Sequence, residues 1–216
     1  MKSKSSMGAW RLPAVCAAVA AAFCMTVGAQ EVVKAKASVS ASHADKLQKF
    51  KEDGFSWYEV VSKETYSASA TFILDAVPED WTELAQAITV TVGGIECSPD
   101  ILKSTAKGGS AKWKEKDKEM KSSVTCSVKW SKKNITVSLS GSNYDGTTVV
   151  ESGDDGVIDE SVALSVDLGA ISLAMSVPVS GKEKTVIKTV KTGKGEDATE
   201  DEYPLVSWKA KGSLVE

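Results

Sequence analysis

Beyond residue 29 the chain has no arginine, one histidine (His43) and two cysteines (Cys97 and Cys126). Arginine is the planar fork that grips phosphate and carboxylate, and histidine is the commonest base and metal ligand. A Ser-His-Asp triad would have to draw on His43, which borders a segment with little to bury, and no Gly-x-Ser-x-Gly elbow occurs. Cys-x-x-Cys spacing is missing too, and with it the redox dithiol and the zinc site. No cofactor and no metal are expected.

What is present begins with a leader. Lys2, Lys4 and Arg11 precede an apolar run from Leu12 to Val27, and Val27-Gly28-Ala29 supplies the small residues of a cleavage site. This is the pattern of a secretory signal peptide over residues 1–29, cut after Ala29. The run of about 16 residues is shorter than the roughly 20 a spanning helix needs. A lipoprotein reading through Cys24 is set aside because Phe23 is bulky where lipid attachment favours small residues. No later segment reads as a membrane span, so the product is expected in the periplasm or outside the cell.

Cleavage would leave 187 residues, with 23 lysines as the only strong bases against 29 acids, a net charge of −6. A mildly acidic product is a poor nucleic-acid binder. A chain of this length buries roughly 70% of its unfolded surface and needs no metal to fold. In an oxidising compartment Cys97 and Cys126 are expected to pair as one disulfide, worth about 3–4 kcal/mol in the chain-entropy model.

The periodicity is that of strands. Val124, Cys126, Val128 and Trp130 alternate with polar residues, Ser131 to Asn134 is turn material, and Ile135, Val137 and Leu139 alternate in turn. This is a hairpin with a defined inner face. Two further two-strand units are read from Ala70–Ala76 followed by Ile88–Val92, and from Val162–Leu168 followed by Ile171–Val177. Further strands fall at Phe55–Ser62, Ala111–Lys114, Thr185–Val190 and Leu205–Leu214. Their spacing fits no fixed repeat.

The expectation is an all-β, antiparallel β-sandwich of about ten short strands, residues 51–216, preceded by a mobile arm over residues 30–50. Pro178 predicts an edge strand or a bulge, since it has no N–H for a ladder. One short helix is expected after Pro78, with Trp81, Leu84 and Ala85 on one face. Trp57, Trp81, Trp130 and Trp208 keep apolar company and are read as core. The cysteine spacing is too short for an immunoglobulin domain, so an immunoglobulin-like architecture is carried over without the family.

The block ITVTVGGIECSPDILKSTAKGGSAKWK resembles lysine-rich exported bacterial β-sandwich proteins of uncharacterised activity. The resemblance spans about residues 70–140. It implies the fold and brings no ligand, partner or catalytic residue with it.

Two constellations invite chemistry. The acidic stretch Asp154, Asp155, Asp159 and Glu160, with Asn143 and Asp145 upstream, offers hard oxygens for a cation, but it fails the EF-hand pattern because the twelfth position falls on Val162. The same acids could serve as paired carboxylates of a glycoside hydrolase. Against both stands the ordinary composition of a solvated, glycine-containing turn. The second constellation is Lys112, Trp113 and Lys114: an indole between lysines is the form in which sandwich modules stack on sugars or anchor a protein.

The sequence therefore points to an exported, non-catalytic structural or interaction module whose partner is a protein or a glycan, with Cys97 and Cys126 as its staple. The alternative is a carbohydrate-binding module using an exposed Trp113 with Lys112 and Lys114. A hydrolase built on the acidic loop stands third.

Overall fold

The computed structural model describes residues 31–119, 121–143, 150, 153–192 and 199–216. The leader, with Cys16 and Cys24, and Asp145 of the acidic stretch lie outside the described residues. In chain order the elements are β1 (Val32–Glu52), β2 (Phe55–Leu74), α1 (Trp81–Leu84), β3 (Ala85–Val92), β4 (Ile95–Cys97), β5 (Asp100–Thr105), β6 (Gly108–Asp117), β7 (Ser122–Ser131), β8 (Asn134–Ser142), β9 (Val157–Gly169), β10 (Ser172–Thr192) and β11 (Thr199–Val215).

The strands form one sheet in the order β4-β3-β9-β10-β11-β1-β2-β8-β7-β6-β5, and every pairing in it is antiparallel. The all-β antiparallel expectation is met. Two separate stacked sheets are not what the ladders describe; the hydrogen bonding is continuous from edge to edge. The chain itself forces this sheet to curl. Only Ser98 and Pro99 separate β4, at one edge, from β5, at the other. Three peptide steps span at most about 11 Å, so the edges must approach each other.

Curling gives the sheet an inner face, and period-2 alternation fills it. Ala35, Ala37, Val39 and Ala41 of β1, Phe72 and Leu74 of β2, Val124, Cys126 and Val128 of β7, and Leu173, Met175, Val177 and Val179 of β10 all join one buried cluster. The opposite parity of each strand faces water. The hairpin read from Val124 to Leu139 is β7–β8, with Trp130 opposite Ile135 and Cys126 opposite Leu139. The unit read from Val162 to Val177 is β9–β10.

Ala70–Ala76 and Ile88–Val92 are not partners: β2 lies between β1 and β8, and β3 between β4 and β9. Between β2 and β3 the chain turns through α1, whose Asp80 cap accepts from the N–H of Thr82 at 2.7 Å. The helix is a single turn. Trp81 is fully buried and donates its indole N–H to the carbonyl of Lys132 at 3.1 Å, and α1 touches β3, β5 and β6. It therefore sits near the place where the two edges of the sheet approach.

Two expectations need correcting, and a third is met only locally. Of the arm expected over residues 30–50, the described part is a core strand: β1 occupies Val32–Glu52, between β11 and β2. Its alternating Ala and Ser looked too poor in apolar bulk, yet small residues suffice on an inner face where larger neighbours fill the space. Pro178 lies in a strand that is interior along most of its length, but at Pro178 itself β10 is paired on one side only, the local edge that a residue without an N–H needs. The ladder from β10 to β9 runs through it unbroken, while the ladder to β11 begins only at Ser180, opposite Lys211. Trp57 is not core; it is 37% exposed.

Trp57 belongs to one of two long hairpins that outrun the core. The β1–β11 ladder ends at Ala44 opposite Ser207, but β1–β2 continues to Glu52 and Phe55, and β10–β11 to Thr192 and Thr199. Phe55 and Ile187 there are exposed.

Candidate functional site

The inner face is spent on the core, so the chemistry available to a partner lies outside. Registers across β1, β2, β8 and β7 build that surface row by row. Ser38, Ser69, Ser138 and Ser127 face one another in one row; Ser40, Ser67, Ser140 and Thr125 form the next; Ser42, Thr65, Ser142 and Ser123 the third. A fourth row reads Lys36, Thr71, Thr136 and Lys129. Neighbouring strands stand about 4.8 Å apart, and same-face residues along a strand about 7 Å apart. The outer face of these four strands is thus a two-dimensional array of hydroxyls with lysines at two corners.

Some hydroxyls bond across the strands: Ser38 to Ser69 at 2.9 Å, Ser42 to Thr65 at 2.7 Å, Ser123 to Ser142 at 3.3 Å and Ser127 to Ser138 at 2.9 Å. The row of Ser40, Ser67, Ser140 and Thr125 makes no side-chain hydrogen bond among the described residues. Each of these hydroxyls keeps one donor and two acceptor positions for a visitor.

Lysines border the array on both sides. Lys112, Lys114 and Lys116 of β6 stand opposite Ser127, Thr125 and Ser123 of β7. Lys209 and Lys211 of β11 stand opposite Ser42 and Ser40 of β1. None of these five forms an ion pair among the described residues. Beside Lys211, where β10 and β11 part at Pro178, an open groove of about 760 Å³ is lined by Ser38, Ser40, Ser67, Asp159, Ser180 and Lys211, with Asp159 in the same row as Ser180 and Lys211. Gly212 lies against the carbonyl of Pro178, where any side chain would collide.

The residues singled out from sequence fall on both sides of the sheet. Lys112 and Lys114 are exposed on the outer face, as part of the lysine border. Trp113, between them, has the opposite parity: it is half-buried and packs against the core. The three do not form one surface. Cys97 ends β4 and Cys126 lies in β7, both buried and both free thiols. They touch through a hydrogen bond from Cys126 to Cys97 that holds Cys97 below the usual thiol range and, together with burial, pushes Cys126 above it.

Asp154 and Asp155 sit in the turn before β9, where Asp155 accepts from the N–H of Val157 at 3.0 Å. Asp159 and Glu160 are consecutive strand residues and project to opposite faces. Asn143 pairs with β2, its Oδ1 accepting from the N–H of Glu64 at 2.7 Å. Among the described residues no group of three or more His, Cys, Asp or Glu is arranged to hold a metal.

His43 is held between carboxylates, Nε2 at 2.9 Å from Asp45 and Nδ1 at 3.2 Å from Glu64, and it stacks on Trp208. Asp45 also accepts from the hydroxyl of Ser62 at 2.6 Å and the N–H of Val206 at 2.8 Å. Burial works to raise the Asp45 carboxyl, but the hydrogen bonds from Ser62, Val206 and His43 outweigh it and leave it lowered. The cluster caps the core where β1 and β11 part.

Sequence reading missed the hydroxyl face. Its signal was in plain view as polar residues of one parity, Ser38-x-Ser40-x-Ser42, Thr65-x-Ser67-x-Ser69-x-Thr71 and Thr136-x-Ser138-x-Ser140. It could not be assembled without the register. The chain matches no family model, no curated protein and no solved structure.

Proposed function

We propose that this protein is exported and acts, without catalysis, as a structural or interaction module of the cell envelope or extracellular space, with the hydroxyl-and-lysine face of β1, β2, β8 and β7 as its contact surface. The observation that carries this reading is the division of labour across the sheet. The inner parity is committed to one core, while the outer parity carries a regular, uniform chemistry with a row of hydroxyls free to bond. The one histidine supports it as well, being engaged in the cap with Asp45, Glu64 and Trp208.

In this reading the leader is cut after Ala29, and Cys97 and Cys126 close as a disulfide after export. The curled sheet then serves as a sandwich does, its arms facing each other across the core. Carbohydrate binding is the second reading, now centred on the outer face and its groove, because Trp113 packs inward.

The test is a glycan and envelope-protein binding panel run with the purified protein, a Trp113→Ala variant and a Ser67→Leu/Ser140→Leu variant. Binding lost only in the double variant supports the outer face. Binding lost only in Trp113→Ala would return the site to the indole. N-terminal sequencing of exported protein should begin at Gln30; recovery of the intact leader from the cytoplasm would sink the export reading.

A further inference from the structure

We propose that the hydroxyl face binds an acidic polysaccharide, a chain of hydroxyl-rich rings carrying carboxylates; this inference rests on the reading of that face as the contact surface and adds the ligand class. The argument is complementarity between a two-part surface and a two-part ligand. The middle of the face is neutral, and its row of Ser40, Ser67, Ser140 and Thr125 has hydroxyls without partners among the described residues. Such a surface exchanges hydrogen bonds with ring hydroxyls as donor and as acceptor.

The borders are cationic. Lys112, Lys114 and Lys116 form one column and Lys209 and Lys211 the other, all without ion pairs among the described residues. Five strand spacings separate the columns, since β11, β1, β2, β8, β7 and β6 are consecutive in the sheet. At about 4.8 Å each, the distance along the surface is about 24 Å, which a chain of several sugars crosses. One row runs the whole way: Lys211, Ser40, Ser67, Ser140, Thr125, Lys114.

The number and spacing of the cations narrow the ligand. Each lysine is a compact point charge, and five of them border a wide neutral field of hydroxyls. Sparse lysines around a broad neutral field suit one carboxylate per ring better than a highly charged polymer. The groove beside Lys211 extends the same surface, with the exposed ring of Pro178 to meet the C–H face of a sugar.

The test measures binding of polygalacturonate by the purified protein at low and high salt, beside dextran, heparin and duplex DNA. Two variants accompany it, Lys112→Gln/Lys114→Gln and Ser67→Leu/Ser140→Leu, with Lys188→Gln on the β10–β11 hairpin as control and near-ultraviolet circular dichroism reporting the fold. All five positions are exposed, so the native fold should persist. Polygalacturonate should bind, weaken with salt, and bind roughly fivefold more weakly to either double variant, the scale expected for losing exposed, solvent-screened contacts; Lys188→Gln should match the parent.

Equal binding of heparin and DNA, with no effect of the serine substitutions, would overturn the inference in favour of a plain cationic surface. Dextran bound as tightly as polygalacturonate, and lost in the serine variant, would overturn the acidic class while keeping the face. No glycan bound at all would overturn the inference and leave the protein-partner reading standing.

Discussion

At the scale of single residues, two positions show how one side chain holds a local solution. Gly109 lies opposite Trp130 in the β6–β7 ladder, and a Cβ there would strike both the indole and the carbonyl of Lys103. Its hydrogen is therefore a packing requirement, and Gly109→Ala should destabilise the protein by about 1–3 kcal/mol, as overpacking does; a urea melt followed by tryptophan fluorescence measures it. Asp45 terminates the β1–β11 ladder by taking the N–H of Val206 on its own carboxylate. A carboxyl lowered in the folded state lends stability above its unfolded pKa and loses it as pH falls through the folded value. Asp45 should thus contribute fully above about pH 4 and progressively less on further acidification. Asp45→Asn should cost roughly 1–2 kcal/mol near neutrality and flatten that acid limb, which urea midpoints at pH 3 and pH 6 would reveal.

At the scale of elements, the hairpins explain themselves by their turns. Asp53 and Gly54 both have positive φ, 47° and 84°, the type I′ geometry whose twist matches the flanking strands. The Asp-Gly pair is a strong hairpin signal, and it joins a segment expected to be mobile to a strand that was foreseen. A Cβ at Gly54 meets nothing within 4 Å, so Gly54→Ala isolates the backbone cost. It should lower stability by about 1 kcal/mol, and faster amide exchange should be confined to the part of β1–β2 beyond Ala44. Loss of exchange protection throughout the core would contradict the view that this hairpin end is an appendage.

At the scale of the molecule, the junction between Cys97 and Cys126 matters most. Cys97 ends the edge strand β4, and Cys126 lies in β7, two strands in from the opposite edge. Their contact joins the two ends of a sheet that no ladder among the described residues closes. Oxidation should therefore tie the curl shut. Peptide mapping under non-reducing conditions should find the two joined in exported protein, and Cys126→Ser should lower the melting temperature by roughly 6–16 °C. That range follows from about 3–4 kcal/mol for the loop at about 2–4 °C per kcal/mol for a chain of this size. An unchanged melting temperature would show that packing around α1 closes the sheet without the bond.

The sequence by itself determined the parity of the strands, because apolar residues at every second position admit only one inner face. It marked the β7–β8 and β9–β10 hairpins, because each is local and bounded by turn residues. It singled out Lys112 and Lys114 together with Trp113, which the structure turns to the other face of β6. Partnerships between distant segments were decided only by the tertiary structure. β1 reaches β11 across most of the chain, and no short-range pattern encodes that choice. The edge-to-edge curl, the parting of strands at Pro178 and the outer rows of hydroxyls all depend on it. Period 2 says which residues share a face of one strand; only register says which residues of different strands stand side by side. The hydroxyl face exists at that second level, which is why serines scattered over about a hundred residues became one surface only when β1, β2, β8 and β7 paired.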